Sequence, residues 1–196
     1  TGDRLSITNP ETGETQPMEV FVGVLGYSNY TYAEAQPSQS RENWIGGHVR
    51  MLQFLGGVPE VVVPDNLKSG VKDPCYYDPE LNPAYQELAE HYALVVLPAR
   101  VRKPRDKAKV ETGVQVVERW IMARLRHDTF FSLAELNRRI RELLQELNDR
   151  PMVHLGQSRR ELFEAVDRPA LNPLPERPYE FAQTKIARVS IDYHVE

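Results

Sequence analysis

Three short apolar runs, Val20–Leu25, Val61–Val63 and Leu94–Leu97, most restrict what this chain can fold into. Each is too short for an amphipathic helix, and none shows the strict alternation of a strand with one wet face. Such runs belong to strands covered on both sides. The chain therefore needs helices packed on its sheet, and the segments between the runs supply them. Trp44, His48, Met51, Leu52 and Leu55 recur at helical spacing after Ser40-Arg41-Glu42-Asn43, and Gly56-Gly57 ends that helix. Asn82 to Tyr92 reads as a second helix, with Tyr85, Leu88, Ala89 and Tyr92 on one side.

Ahead of the first run, Asn9-Pro10-Glu11-Thr12-Gly13 is turn chemistry, so a strand around Arg4–Thr8 pairs antiparallel with the next. Tyr30–Ala35 is β-prone and follows a short turn at Ser28-Asn29, completing a three-stranded meander. Hairpins come first and βα units follow. That order predicts an α/β fold with a mixed five-stranded sheet flanked by helices.

Downstream the pattern becomes helical. Val110, Val114, Val117 and Ile121 mark one face of a long helix from Arg105 to about Arg126. Ser132-Leu133-Ala134-Glu135 is a capping-box signature for a helix to about Asn148, with Leu133, Leu136, Ile140, Leu143, Leu144 and Leu147 inward. A short helix fits Ser158–Val166. Pro169, Pro173, Pro175 and Pro178 then mark an extended connector. Lys185–Val195 alternates like the first strand of a further β module. The expected division is a core over residues 1–130, a helical extension over 131–168, and a connector with one strand over 169–196.

With 196 residues, 41% of them hydrophobic, the chain can bury a core, and no run of it is long enough for a transmembrane helix. Cys75 is the only cysteine, which excludes an internal disulfide or a Cys-based zinc site and suits a reducing compartment. The five histidines are scattered, with no pair at metal-ligand spacing. A net charge of −4 argues against a nucleic-acid partner only as an average. Arg100, Arg102, Lys103, Arg105, Lys107 and Lys109 form a basic stripe opposed by Asp106 alone.

Two carboxylates flank this stripe. Asp65 follows a buried strand, where ligands of α/β folds gather and where turn aspartates are also common. Glu111 lies in the first turns of the long helix, four residues after Lys107, a spacing that also suits a surface ion pair. The 45 residues between them hold a helix, a strand and a basic loop, enough to bring the chain back beside the same strand ends. Two hard oxygen ligands there suit Mg²⁺ or Mn²⁺. With a third carboxylate they would hold two ions for an in-line phosphoryl displacement. The same segments also fit a non-catalytic DNA-binding or assembly module, or an RNase H-type nuclease.

The stretches Val61-Val62-Val63-Pro64-Asp65-Asn66-Leu67-Lys68-Ser69-Gly70 and Arg102-Lys103-Pro104-Arg105-Asp106-Lys107-Ala108-Lys109-Val110-Glu111 resemble the second and third acidic motifs of IstA-type insertion-sequence transposases, within the DDE transposase and retroviral integrase superfamily. Val22–Ser28, Val116–Trp120 and Ile191–Glu196 extend the resemblance along the chain. It implies an RNase H-like catalytic core, with Asp65 and Glu111 as the second and third catalytic, metal-binding carboxylates and two Mg²⁺ or Mn²⁺ ions in the complete site. The family's first aspartate is expected just ahead of Thr1, with Asp3 matching a later aspartate of that pattern, so that this segment by itself is expected to be inactive. Asn66, Lys68, Arg102, Lys103, Arg105, Lys107 and Lys109 are the expected DNA contacts. The implied partners are transposon-end and target DNA, further copies of the transposase on that DNA and an ATP-dependent helper protein; the implied location is the bacterial cytoplasm.

Overall fold

The computed structural model describes residues 4–64, 83–97 and 104–182, with side chains omitted for 104–110. Expectations that fall on residues 1–3, 65–82, 98–103 and 183–196, including the strand over Lys185–Val195, lie outside the described residues.

In place of the expected three-stranded meander the chain forms two antiparallel pairs of strands. Strand β1 (Ser6–Thr8) pairs antiparallel with β2 (Thr15–Pro17) across the Asn9–Glu14 turn. The Asn9 side chain accepts from the N–H groups of Glu11 and Thr12, and Gly13 takes the left-handed conformation with φ +72°. The chain then passes Met18, whose N–H donates to Leu5 O, into β3 (Glu19–Val24). Strand β3 pairs antiparallel with β4 (Thr31–Gln36). Helix α1 (Arg41–Leu55) starts on the Ser40 cap and stops at Gly56, φ +69°, as its sequence requires. Strand β5 (Val61–Val62), helix α2 (Pro83–Tyr92) and strand β6 (Val95–Val96) follow, and β5 and β6 are parallel. The α/β class is as expected. Among the described residues the expected five-stranded sheet is represented by three hydrogen-bonded pairs.

The alternation of β4 sets what packs on it. Tyr32, Glu34 and Gln36 point to one side. There Glu34 accepts from Tyr32 Oη (2.8 Å), Gln36 Nε2 (2.7 Å) and both arms of Arg50 on α1 (2.7 Å each). The carboxylate is buried, and these four donors replace the water it loses. The small residues Ala33 and Ala35 point the other way and let a helix approach closely.

That helix is α5 (Leu133–Asp149), which buries Leu136, Ile140, Leu143, Leu144 and Leu147. Fully burying each aliphatic side chain contributes roughly 1.5–3 kcal/mol. Strand β4 pairs only with β3 among the described residues, and α5 occupies its other edge. Asn137 Oδ1 accepts from Ala35 N–H (2.7 Å) while its Nδ2 donates to Ala35 O (3.0 Å). Asn148 treats Thr31 the same way, at 3.1 and 2.8 Å. The two side-chain amides thus stand in for a neighbouring strand.

The Ser132 hydroxyl caps α5 by accepting from Glu135 N–H (3.1 Å). The expected reciprocal half of the box is shifted by one residue, because Glu135 accepts from Phe131 N–H (3.2 Å) instead. The full box occurs at Ser158 and Glu161, which open α6 (Arg159–Leu162). This helix continues through a π turn (Phe163–Asp167) into α7 (Arg168–Ala170).

The proline-rich segment is extended, as its composition demands, and it is docked along its length. Asn172 exchanges two backbone hydrogen bonds with Val58. Arg177 O accepts from His91 Nε2 (2.9 Å), Tyr179 N–H donates to Tyr92 Oη (3.1 Å), and Tyr179 Oη donates to Glu87 (2.9 Å). Leu171, Leu174, Tyr179 and Phe181 pack against the core.

Candidate catalytic centre

Strand β5 delivers the chain toward Asp65. Val61 and Val62 pair with Val95 and Val96 of β6, and Pro64 at the end of this stretch is buried. Asp65, Asn66 and Lys68 lie outside the described residues, as do Arg102 and Lys103. Arg105, Lys107 and Lys109 are on α3 (Pro104–Val117), of which only the backbone is described before residue 111. Three cations of the expected basic stripe and its opposing acid, Asp106, thus lie on the helix directly upstream of Glu111.

Glu111 is exposed on α3. What fixes its position is Gly113, buried two residues later, where the helix meets β3. A Cβ built on Gly113 would lie 2.3 Å from Val24 Cγ2, well inside contact distance, so only glycine permits this approach. A glycine inside a helix costs about 1 kcal/mol relative to alanine, and its presence marks a close approach of backbones. The reading of Glu111 from sequence passed over Gly113, although this signal was available.

Beyond Val117 the helix makes one π turn (Glu118–Met122) before α4 (Ala123–Leu125). The extra residue rotates the following segment, so that Val117, Ile121 and Leu125 all reach the core. The same stretch presents Trp120 beneath two guanidinium groups, Arg124 at 3.8 Å and Arg150 at 4.6 Å from its ring centre.

Among the described residues no three His, Cys, Asp or Glu side chains converge as a metal site. No helix among them is long and apolar enough to cross a membrane.

The α/β fold is that of retroviral integrase catalytic cores, the RNase H-like fold. The HTLV-2 integrase catalytic core, solved with magnesium, superposes with a TM-score of 0.54 at 16% identity, over 83% of this chain and 93% of that one. The BIV integrase catalytic core gives 0.59 at 13% identity, over 85% and 94%. The simian T-cell lymphotropic virus intasome, in complex with the PP2A regulatory subunit B56 gamma, gives 0.61 at 17% identity, over 94% and 59%.

Sequence similarity is far stronger to bacterial proteins. A protein of Sinorhizobium fredii named as a transposase is 54% identical over 195 residues, covering 100% of this chain and 38% of that protein. The protein named as the transposase for insertion sequence IS408 of Burkholderia multivorans is 50% identical, with the same coverage. The transposase for insertion sequence element IS21 of Pseudomonas aeruginosa is 26% identical over 184 residues, covering 94% and 47%. The chain is thus similar along its whole length to proteins named as insertion-sequence transposases, and it spans 38% of the length of the first two relatives. No protein-family model matches it.

Proposed function

We propose that this chain is part of the catalytic core of a DNA transposase, which cuts transposon ends and joins them to target DNA by metal-dependent phosphoryl transfer. The observation that carries the reading is the seat of Glu111. An exposed carboxylate stands two residues before the glycine contact that presses α3 onto Val24, in a chain 54% identical to a protein named as a transposase.

The resemblance expects a further acid just ahead of Thr1.

In this reading Asp65 and Glu111 hold Mg²⁺ or Mn²⁺ with that acid, and carboxylate oxygens are the donors such hard ions take. Two bound ions supply activation of the attacking oxygen and stabilisation of the leaving one. Asn66, Lys68, Arg102, Lys103, Arg105, Lys107 and Lys109 hold the phosphate backbone so that the scissile bond meets the carboxylates. The working assembly comprises transposon-end and target DNA, further copies of the protein and an ATP-dependent helper, in the bacterial cytoplasm. Within it, residues 1–130 carry the core, 131–168 the helical extension and 169–196 the link to a β module.

The test is Glu111→Gln and Asp65→Asn, each in the full-length protein, assayed for cleavage and joining of transposon-end duplexes with Mg²⁺ or Mn²⁺. Each variant is expected to lose at least ~10³-fold in rate with unchanged folding, as befits removal of a ligand from a two-ion site. A Glu111→Gln protein as active as wild type would sink the catalytic reading and leave a DNA-binding or assembly module.

A further inference from the structure

The turn between α5 and α6 sets two arginines side by side. Pro151 and Ser158 form an antiparallel bridge across it, so Arg150 and Arg159 occupy the next opposed positions outward on its two legs. Both legs are fixed. Arg150 N–H donates to Glu146 O (3.0 Å) at the end of α5, and the Ser158–Glu161 capping box opens α6. The Arg159 guanidinium is partly buried and donates to Leu147 O (3.2 Å), a carbonyl of the last turn of α5. Arg150 is exposed, and its guanidinium lies over the Trp120 ring, 4.6 Å from the centre.

Among the described residues no carboxylate pairs with either arginine, because the acids nearby are engaged elsewhere. Glu146 pairs with Arg124 (2.8 Å), Asp149 with Arg160, and Glu161 accepts from Ser158 N–H (2.6 Å). Burial first, and then the charge of Arg150, hold the Arg159 guanidinium below its usual pKa. Arginine stays charged nonetheless, so two cations stand in each other's field without a counter-charge. A helix end, a bridge and an aromatic face hold them together against that repulsion. A phosphate placed between them relieves it, and the planar donor forks of two guanidinium groups match its oxygens. Trp120 follows Glu111 by nine residues of one continuous helical stretch, about 14 Å at 1.5 Å per residue. Duplex DNA covers that distance in about four base pairs.

We propose that Arg150 and Arg159, steadied by Trp120, form a fork that holds a phosphodiester of the DNA backbone away from the catalytic centre. The fork rests on the reading of the chain as part of a DNA transposase and adds a backbone contact on the helical extension to the basic stripe ahead of Glu111. Neither the carboxylates nor metal ions take part in it, so its failure and that of the catalytic reading are told apart.

The experiment is fluorescence anisotropy of a labelled DNA duplex titrated with the 196-residue chain in EDTA over a range of salt concentrations, for wild type, Arg150→Gln, Arg150→Lys and Arg159→Gln. Arg138→Gln, on the exposed side of α5 and paired with Glu142, is the control that changes net charge equally. Circular dichroism melts check that each variant folds. Arg159→Gln also deprives Leu147 O of its donor, so where that variant unfolds Arg150→Gln decides alone. Arg150→Gln and Arg159→Gln are each expected to weaken binding ~10-fold and to reduce the salt slope by about 1. Arg150→Lys keeps most of the slope, and Arg138→Gln changes neither quantity. An Arg150→Gln chain that melts lower but binds DNA with wild-type affinity and slope overturns the proposal and leaves the fork as a brace for α5. An equal loss in Arg138→Gln, which net charge alone explains, overturns it too, as does a wild-type chain that does not bind the duplex.

Discussion

Gly113 and His48 show how single residues set the terms for their surroundings. Gly113 has no side chain, and its contact with Val24 holds the helix that carries Glu111. His48 has a full side chain in a space that favours only its neutral form. It is buried on α1 among Phe21, Trp44 and Tyr85, with ring centres 5.0, 4.2 and 5.5 Å away. Its Nδ1–H donates to Trp44 O (3.0 Å), and burial pushes its pKa down to about 4. The unfolded chain protonates this ring near the ordinary value of about 6.5 and the folded chain does not. Between those values the unfolded state binds more protons, so stability rises with pH and is lost as pH falls from about 6.5 to about 4. The His48 share of that loss is about 3 kcal/mol. Urea unfolding of wild type and His48→Leu at pH 7 and pH 4.5 measures it, because the carboxylate contribution is common to both. If both proteins lose the same stability over this range, His48 is not the buried neutral base described.

At the scale of elements, what the sequence disclosed and what it hid separate by range. Ser40, Gly56 and Ser132 act on their own helix ends, so these boundaries could be read locally. The turn at Asn9–Gly13 is local in the same way. The use of Asn137 and Asn148 was not legible, because each serves a strand more than 100 residues earlier in the chain. In sequence they are merely polar positions on an amphipathic helix. The docking of the proline-rich segment was hidden likewise, since proline content fixes its extended form but not Val58, Glu87 and Tyr92 as its partners. Asp65 and Glu111 were ambiguous one at a time and became specific only as paired motifs. The asparagine device makes a sharp prediction. Asn137→Asp keeps the acceptor for Ala35 N–H and loses the donor to Ala35 O, whereas Asn137→Ala loses both. Expected costs are about 2–3 kcal/mol for Ala and at least about as much for Asp, whose second oxygen would face Ala35 O, with faster amide exchange at Ala35 in the alanine variant. Equal urea midpoints for wild type and Asn137→Ala would remove the strand-mimic account.

Across the whole molecule, the core runs without a gap past residue 130. Leu5, Met18, Ala33, Ala35, Ile45, Leu52 and Tyr85 ahead of it, and Leu136, Ile140, Leu144 and Phe163 after it, belong to one buried cluster. Phe130 is itself buried, and its carbonyl accepts from Thr8 N–H (2.8 Å). A chain ending at residue 130 would leave Ala33 and Ala35 uncovered. It would also leave the Thr31 and Ala35 backbone groups without their asparagine partners, on an open strand edge of the kind that pairs with other chains. The lost apolar face of α5 removes roughly 1.5–3 kcal/mol for each of its buried aliphatic residues. Over Leu136, Ile140, Leu143, Leu144 and Leu147 that loss is comparable to the roughly 5–15 kcal/mol by which domains are ordinarily stable. A fragment of residues 1–130 is therefore expected to be unfolded or aggregated, and one of residues 1–182 to melt cooperatively. Adding the α5 segment in trans should not restore the short fragment, because covalent linkage supplies its effective concentration. Circular dichroism melts and light scattering on the two fragments decide the matter. A soluble 1–130 fragment with a cooperative melt would mean that α5 decorates a core able to stand without it.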